Sequence, residues 1–360
     1  MFTKKTRLLT MLILLLVIIG IVMVGSSSRV WAEAKFDNAH YFMEKQAMFA
    51  LVGLFVMYAA SRISLLKLRK QAKLLYWVCI GTLVLVLVPG LGVARNGSRS
   101  WFGVGSLLVQ PSEFFKIAVI MYVSDFLAKR YRIKTFKRDL LFPGFLVAFG
   151  FGLILLQPDF GSGLVMVCSI VVIVLAADAP ISYFVRVGML GLIGLGGLII
   201  SAPYRLARIT SFINPWKDPL GAGFQIIQSL FAIAPGGVLG VGFDQSMQKH
   251  FYLPEPQTDF IFAIFAEEFG FLGSVLLIGL FVAVIYQGVK IAKGCHDPYL
   301  CYVAVGLTSL FAIQVMINLG VVVGLFPVTG ITLPFISYGG SSLVVMMGSF
   351  GLLESIANEE

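Results

Sequence analysis

The stretch Tyr252-Leu-Pro-Glu-Pro-Gln-Thr-Asp259-Phe-Ile-Phe-Ala-Ile-Phe-Ala-Glu267-Glu268 runs from a polar, proline-punctuated segment straight into an apolar helical one. Asp259 stands at the junction, and Glu267 and Glu268 follow two turns deeper. An ionised group beside hydrocarbon is costly unless water or a partner reaches it, so three carboxylates here read first as the lining of a wet cavity. A second, compatible reading is that Asp259 caps a helix beginning at Phe260, since Asp is a favoured N-cap residue. Both readings place a polar loop at the mouth of a helix that enters a membrane.

The rest of the chain agrees. Of 360 residues, 58% are hydrophobic and 12% charged, with mean hydropathy +0.93, whereas an ordinary soluble domain carries about 25% charged residues. The apolar run Leu8 to Val24 behind Lys4, Lys5 and Arg7 is long for a signal peptide and has no convincing small-residue cleavage site, so it reads as a retained first span. Nine further runs, centred on Leu54, Leu83, Ile120, Val147, Ile170, Leu192, Leu277, Phe311 and Val345, are compatible with the roughly 17 to 25 residues that a crossing needs. The expected fold is an all-α polytopic membrane protein of about ten transmembrane helices, forming a single domain over 1–360.

Lys and Arg concentrate in 4–7, 62–73, 129–138 and 290–293, with Arg186. By the positive-inside rule these segments are cytoplasmic, as are both termini. The same asymmetry, with anionic headgroups, accounts for the formal net charge of +9 without nucleic acid. The four cysteines fall in spans or on the predicted cytoplasmic side, so no extracytoplasmic disulfide is expected, and Cys295, His296 and Cys301 lack the ligand number of a zinc site.

The largest connection, 202–258, falls between the seventh and eighth spans and faces outward on this topology. Within it Phe224 to Phe243 is apolar, but Pro235, Gly236, Gly237, Gly240 and Gly242 would break a spanning helix. An interfacial or re-entrant element buried against protein is expected instead. Other outward segments are Arg95-Asn-Gly-Ser-Arg99-Ser-Trp101, Gln110-Pro-Ser-Glu113-Phe-Phe-Lys116, Gln157-Pro-Asp159-Phe-Gly-Ser-Gly163 and the Pro- and Gly-punctuated loop Phe326 to Ser342. Glu113 and Lys116 share a helix face and can form a simple ion pair, although Lys116 sits about a turn inside the membrane boundary. Asp159 can cap the sixth span. With Asp259 on this side are Arg95, Arg99, Arg205, Arg208, Lys249 and Lys116, a set suited to an anionic substrate at headgroup level. Arg205 and Arg208, three apart, would aim at one target if helical, and guanidinium forks match phosphate oxygens.

Those runs, with Asn-Pro-Trp-Lys-Asp-Pro, Gly-Phe-Gln-Ile-Ile-Gln-Ser, Tyr-Leu-Pro-Glu-Pro-Gln-Thr-Asp-Phe-Ile-Phe-Ala and Pro-Val-Thr-Gly-Ile-Thr-Leu-Pro-Phe-Ile-Ser-Tyr-Gly-Gly-Ser-Ser, occur in order over essentially the whole chain. Together they strongly resemble the SEDS family (shape, elongation, division and sporulation), its FtsW and SpoVE branch more than its RodA branch. The resemblance implies a bacterial inner-membrane peptidoglycan glycosyltransferase that polymerises lipid II, beside a class B penicillin-binding protein in a division or sporulation complex. It places the family's essential aspartate on Asp259 and draws attention to Glu113, Lys116, Asp159, Arg205, Arg208 and Glu255. Arg99 and Trp101, in one of the matching runs, join them as candidate substrate-binding residues.

The chemistry needs a base for an acceptor hydroxyl and a cradle for a departing pyrophosphate. Asp259 suits the first role, and Lys116, Arg205 and Arg208 suit the second, with a divalent cation (Mg2+ or Mn2+) as a further candidate. Two other functions fit a multispan protein that meets an amphiphilic lipid. One is a lipid II flippase with Glu267, Glu268 and Lys116 along its path; the other is a non-catalytic scaffold of a cell-wall complex.

Overall fold

The computed structural model describes residues 4–95, 98–104, 107–130, 139–200 and 211–359. Its body is helical: α1 (Lys4–Phe36), α2 (Tyr41–Ala60), the short α3 (Leu65–Arg69), α4 (Ala72–Leu87), α5 (Pro111–Ala128), α6 (Leu141–Leu156), α7 (Phe160–Ala176), α8 (Ile181–Ile200), α9 (Phe224–Gly236), α10 (Ile261–Gly294), α11 (Pro298–Val322) and α12 (Gly340–Glu359). Leu16, inside the first apolar run, and each of the nine other predicted span centres fall within one of these helices. Among the described residues α1, α2, α10, α11 and α12 are both long and apolar enough to cross a membrane. Helix lengths are uneven, from 33 residues in α1 and 34 in α10 to 16 in α4 and α6 and 17 in α7.

α11 is the axis of the bundle, packed by α10, α7, α5 and α12. Its Phe311 meets Phe335 at 5.5 Å and Phe350 at 5.1 Å between ring centroids, an edge and face cluster that closes the core where α11, α12 and the preceding loop converge. α2 and α12 lie against each other because Gly351 brings the α12 backbone onto the carbonyl of Met57, where any Cβ would collide. In lipid, such small-residue contacts replace the hydrophobic drive of water.

Two local features differ from the sequence reading. The loop after α4, expected to face outward, is a three-stranded antiparallel sheet, β1 (Val93–Arg95), β2 (Ser98–Val104) and β3 (Leu107–Val109), paired in that order. Phe102 pairs with Val109 and Val104 with Leu107 across β2 and β3, and Trp101 pairs with Val93 across β1 and β2, the aromatic and β-branched types that strands favour. Second, α10 is broken at Gly270, whose φ of 64° and ψ of −161° no helix contains. The backbone groups this frees are taken up by the loop after α9. Val241 and Gly242 donate to the carbonyls of Glu267 and Glu268 at 3.0 and 3.1 Å, while Phe271 and Leu272 donate to those of Gly237 and Val238 at 2.9 and 3.1 Å. A break in lipid is tolerated when protein re-satisfies the backbone in this way. α9, only 13 residues long and ending at Pro235 and Gly236, packs on α10, as the proline and glycines of that segment require.

Candidate functional site

Asp259 is partly exposed just before α10. The helix starts one residue later than expected, and Phe260, not Asp259, occupies its cap position, without a side-chain cap bond. The capping role expected for Asp259 is therefore not the one it fills. Its Oδ1 accepts from Thr258 Oγ1 at 3.0 Å, and its backbone carbonyl accepts from Asn318 Nδ2 at 2.8 Å. Glu255 precedes it in a turn, with a left-handed φ of 44°, and its carbonyl, 2.7 Å from Thr258 Oγ1, shares that one hydroxyl hydrogen with Asp259. The turn is also held from the far end of the chain, where Tyr338 N donates to the Gln257 carbonyl at 2.8 Å.

Pro111 opens α5, fixing the first turn that presents Glu113 and Lys116. Lys116 is 2% exposed and donates to Glu113 Oε1 at 2.8 Å. Its other recorded contact is a long one, 3.5 Å, to Gln314 Oε1 on α11. An ammonium has three hydrogens to donate, and these two acceptors leave capacity unused. Gln314 in turn donates to the carbonyl of Thr332 at 3.1 Å, and Asn318, one turn further along α11, donates to that of Ile331 at 2.7 Å as well as to Asp259. A single face of α11 thus links Lys116 to Asp259, although no feature of sequence spacing joins them.

Asp159 occupies the N-cap of α7, accepting from Ser162 N at 3.2 Å. Its other oxygen accepts from Gln110 Nε2 at 2.8 Å and Ser112 Oγ at 3.2 Å, which locks the start of α7 to the start of α5. Gln110 N also donates to Ser341 Oγ at 3.1 Å, tying in the start of α12. Arg99 and Trp101 lie two apart on β2 and so share one face of the sheet, both partly exposed. Ser98 and Ser100 on the opposite face bind the Gln157 carbonyl, the latter at 3.0 Å, and thereby hang the sheet over the turn before α7. Arg205 and Arg208 lie outside the described residues.

Glu267 and Glu268 do not join Asp259, and the expected cluster of three carboxylates separates. Both glutamates are 1% exposed and serve a different group of residues. Glu267 accepts from Met247 N at 2.8 Å and from Ser246 Oγ. Glu268 accepts from Ser26 Oγ of α1 at 2.6 Å and from Lys249 Nζ at 3.3 Å. Lys249, expected among the outward cations, is 2% exposed and also pairs with Asp244, which Arg29 engages from the other side. Burial opposes ionisation of Asp244, but the bonds and charges of Lys249 and Arg29 outweigh it and hold its pKa below the ordinary aspartate value. Among the described residues no group of three or more His, Cys, Asp or Glu is placed to hold a metal ion. Of the described carboxylates, Glu113 and Asp159 are already engaged by Lys116 and by hydrogen-bond donors, and no chemical step is assigned to a divalent cation.

Sequence reasoning missed Gln314 and Asn318. The available signal was two amides at i and i+4 in an otherwise apolar span, a costly placement that needs partners.

The fold and this cluster define a class: a multi-pass membrane protein whose helix bundle holds a partly exposed carboxylate and a buried cation at one end. The chain belongs to the FtsW, RodA and SpoVE family of cell cycle proteins, whose pattern it matches over residues 6–360. It is 51% identical over 366 residues to stage V sporulation protein E of Bacillus subtilis (strain 168), covering 99% of each chain. It is 39% identical over 352 residues to the probable peptidoglycan glycosyltransferase FtsW of Trichlorobacter lovleyi, covering 96% of this chain and 92% of that one. Among solved structures, a chain of a peptidoglycan synthase complex that coordinates polymerization and crosslinking superposes with a TM-score of 0.79 at 32% identity, over 98% of this chain and 97% of that one. The rod shape determining protein RodA of Thermus thermophilus superposes with a TM-score of 0.73 at 28% identity, over 98% and 96%. The higher identity to the sporulation and FtsW proteins agrees with the branch expected from the motifs.

Proposed function

We propose that the chain is an inverting peptidoglycan glycosyltransferase that polymerises lipid II at the outer face of the bacterial inner membrane. In this reading both termini are cytoplasmic and the sheet, the 202–258 loop and Asp259 face outward. The 4-hydroxyl of a GlcNAc attacks the anomeric carbon of a MurNAc carrying the lipid pyrophosphate. As the new C–O bond forms, the bond to phosphate breaks and its electron pair leaves with the pyrophosphate. Asp259 accepts the hydroxyl proton, and no second acid is needed because pyrophosphate departs unprotonated. Lys116, with unused donor capacity, faces the charge developing on the leaving group. Arg205, Arg208 and Arg99 are assigned to the same anionic cradle, Trp101 to the sugar, and Glu255 to the turn that carries Asp259.

The observation that carries this reading is the link, through α11, between a partly exposed Asp259 and a buried Lys116 with a donor to spare. Supporting it are its likeness to the probable peptidoglycan glycosyltransferases FtsW and to a chain of a peptidoglycan synthase complex. A class B penicillin-binding protein is the partner we assign for crosslinking. The test is reconstitution of the full-length protein with lipid II, alone and with such a partner. Glycan chains from the wild type, and none from a folded Asp259→Asn protein, are expected. Normal polymer from that variant would overturn the reading, and movement of labelled lipid without polymer would favour a flippase.

A further inference from the structure

We infer that Gln314 and Asn318 are positioning residues that set the separation between Lys116 and Asp259, a deepening that rests on the function proposed above. Both lie on α11, four residues apart, which puts them on one face about 6 Å apart along the axis. Both are 1% exposed. Each ties the same extended segment to that face, Gln314 at the Thr332 carbonyl and Asn318 at the Ile331 carbonyl. Each then reaches one group of the site, Gln314 the ammonium of Lys116 and Asn318 the carbonyl of Asp259.

The residue types suit this task and not simple packing. Asn318 Nδ2 carries two hydrogens in one plane and spends both, on carbonyls from two chain segments that are distant in sequence. A hydroxyl could serve only one of them. The remaining atom, Oδ1, is buried and has no hydrogen-bond partner among the described residues, an expense that an apolar side chain at the same helix position would avoid. Asn318 therefore fixes where α10 begins, and with it the bearing of Asp259, relative to the loop 331–332. Gln314 fixes the same loop relative to Lys116. Because α11 is packed by four other helices, the base and the cation are both referred to one central element.

The discriminating substitution is Asn318→Asp, which keeps shape and volume but sets an acceptor against two carbonyls. Asn318→Ser, which keeps one donor, is the second variant should the first fail to fold. Full-length protein is assayed for lipid II polymerisation, with kcat and KM for lipid II measured separately and the thermal midpoint recorded. A misplacement of about 1 Å costs on the order of 100-fold in rate. We expect kcat to fall about that far in Asn318→Asp and roughly 10-fold in Asn318→Ser, with KM within about threefold of wild type. Folded variants whose kcat stays within about threefold, or whose loss lies in KM, would overturn the inference. Asp259→Asn in the same assay separates the two proposals. An inactive wild type counts against the function itself, whereas an active wild type, an inactive Asp259→Asn and unaffected Asn318 variants remove only the positioning role.

Discussion

Lys116 and Lys249 are the same residue type, each 2% exposed, yet their surroundings differ in kind. Lys249 is saturated: Asp244 offers it a carboxylate and a backbone carbonyl, Glu268 a second carboxylate and Ser26 a hydroxyl. Those acceptors come from α1, α10 and the loop between α9 and α10, so the ammonium works as a rivet through three pieces of chain. Lys116 has one carboxylate and one distant amide. A buried cation whose hydrogens are all spent serves the fold, and one with a hydrogen to spare, joined through α11 to a partly exposed acid, is arranged for something that arrives.

The comparison can be broken at several points. Asp259→Asn should cost the largest factor, about 10³-fold or more in polymerisation rate, the scale of a lost general base. Its thermal midpoint should stay close to wild type. Lys249→Met should do the reverse. Removing one member of a buried ion group costs about 3–5 kcal/mol because the partners remain charged and unpaired, so the midpoint falls while the rate per folded molecule is kept. An active-site phenotype at Lys249 with unchanged stability would invert the assignment of the two lysines. Gly270→Ala should cost somewhat less, roughly 1–3 kcal/mol, from a left-handed φ alone. Its Cβ would in addition press on Gly240 N and the Val238 carbonyl, and denaturation monitored by the accessibility of the 237–242 loop to protease should show that loop released first. The smallest effect concerns acid. Because the Asp244 pKa is depressed in the fold, its contribution is present above the ordinary aspartate pKa of about 3.9 and is lost as pH falls through the lower folded value. Wild type should lose stability over that acid interval, and Asp244→Asn should show a flatter dependence there.

How much was legible in the chain follows from the range of the forces involved. Apolar runs near Leu54, Phe311 or Val345 declare their helices because hydrocarbon contact is a property of the run itself. The pair Glu113 and Lys116, one turn apart, and the cap at Asp159 are equally local. The grouping of Glu267 and Glu268 with Asp259 failed because adjacency along a helix is not adjacency in space. Eight residues carry Glu267 about 12 Å along the axis, into the reach of Ser246 and Met247. The break at Gly270 was hidden for a similar reason: its backbone partners, Gly237 and Val238, arrive from a separate segment. Gln314 and Asn318 announce only that a span contains two polar side chains, and their value depends on Lys116, Asp259 and the 331–332 loop meeting there.

The unequal helices have a consequence for the surrounding lipid. α1 is about 50 Å long, whereas α4, α6 and α7, a contiguous group, span only about 24 to 26 Å against a hydrocarbon core of about 30 Å. A bilayer meeting the shorter flank must thin or draw its headgroups inward, at a modest cost per ångström. The two flanks of one bundle therefore ask for different bilayer thicknesses, and the thinner membrane belongs beside α4, α6 and α7.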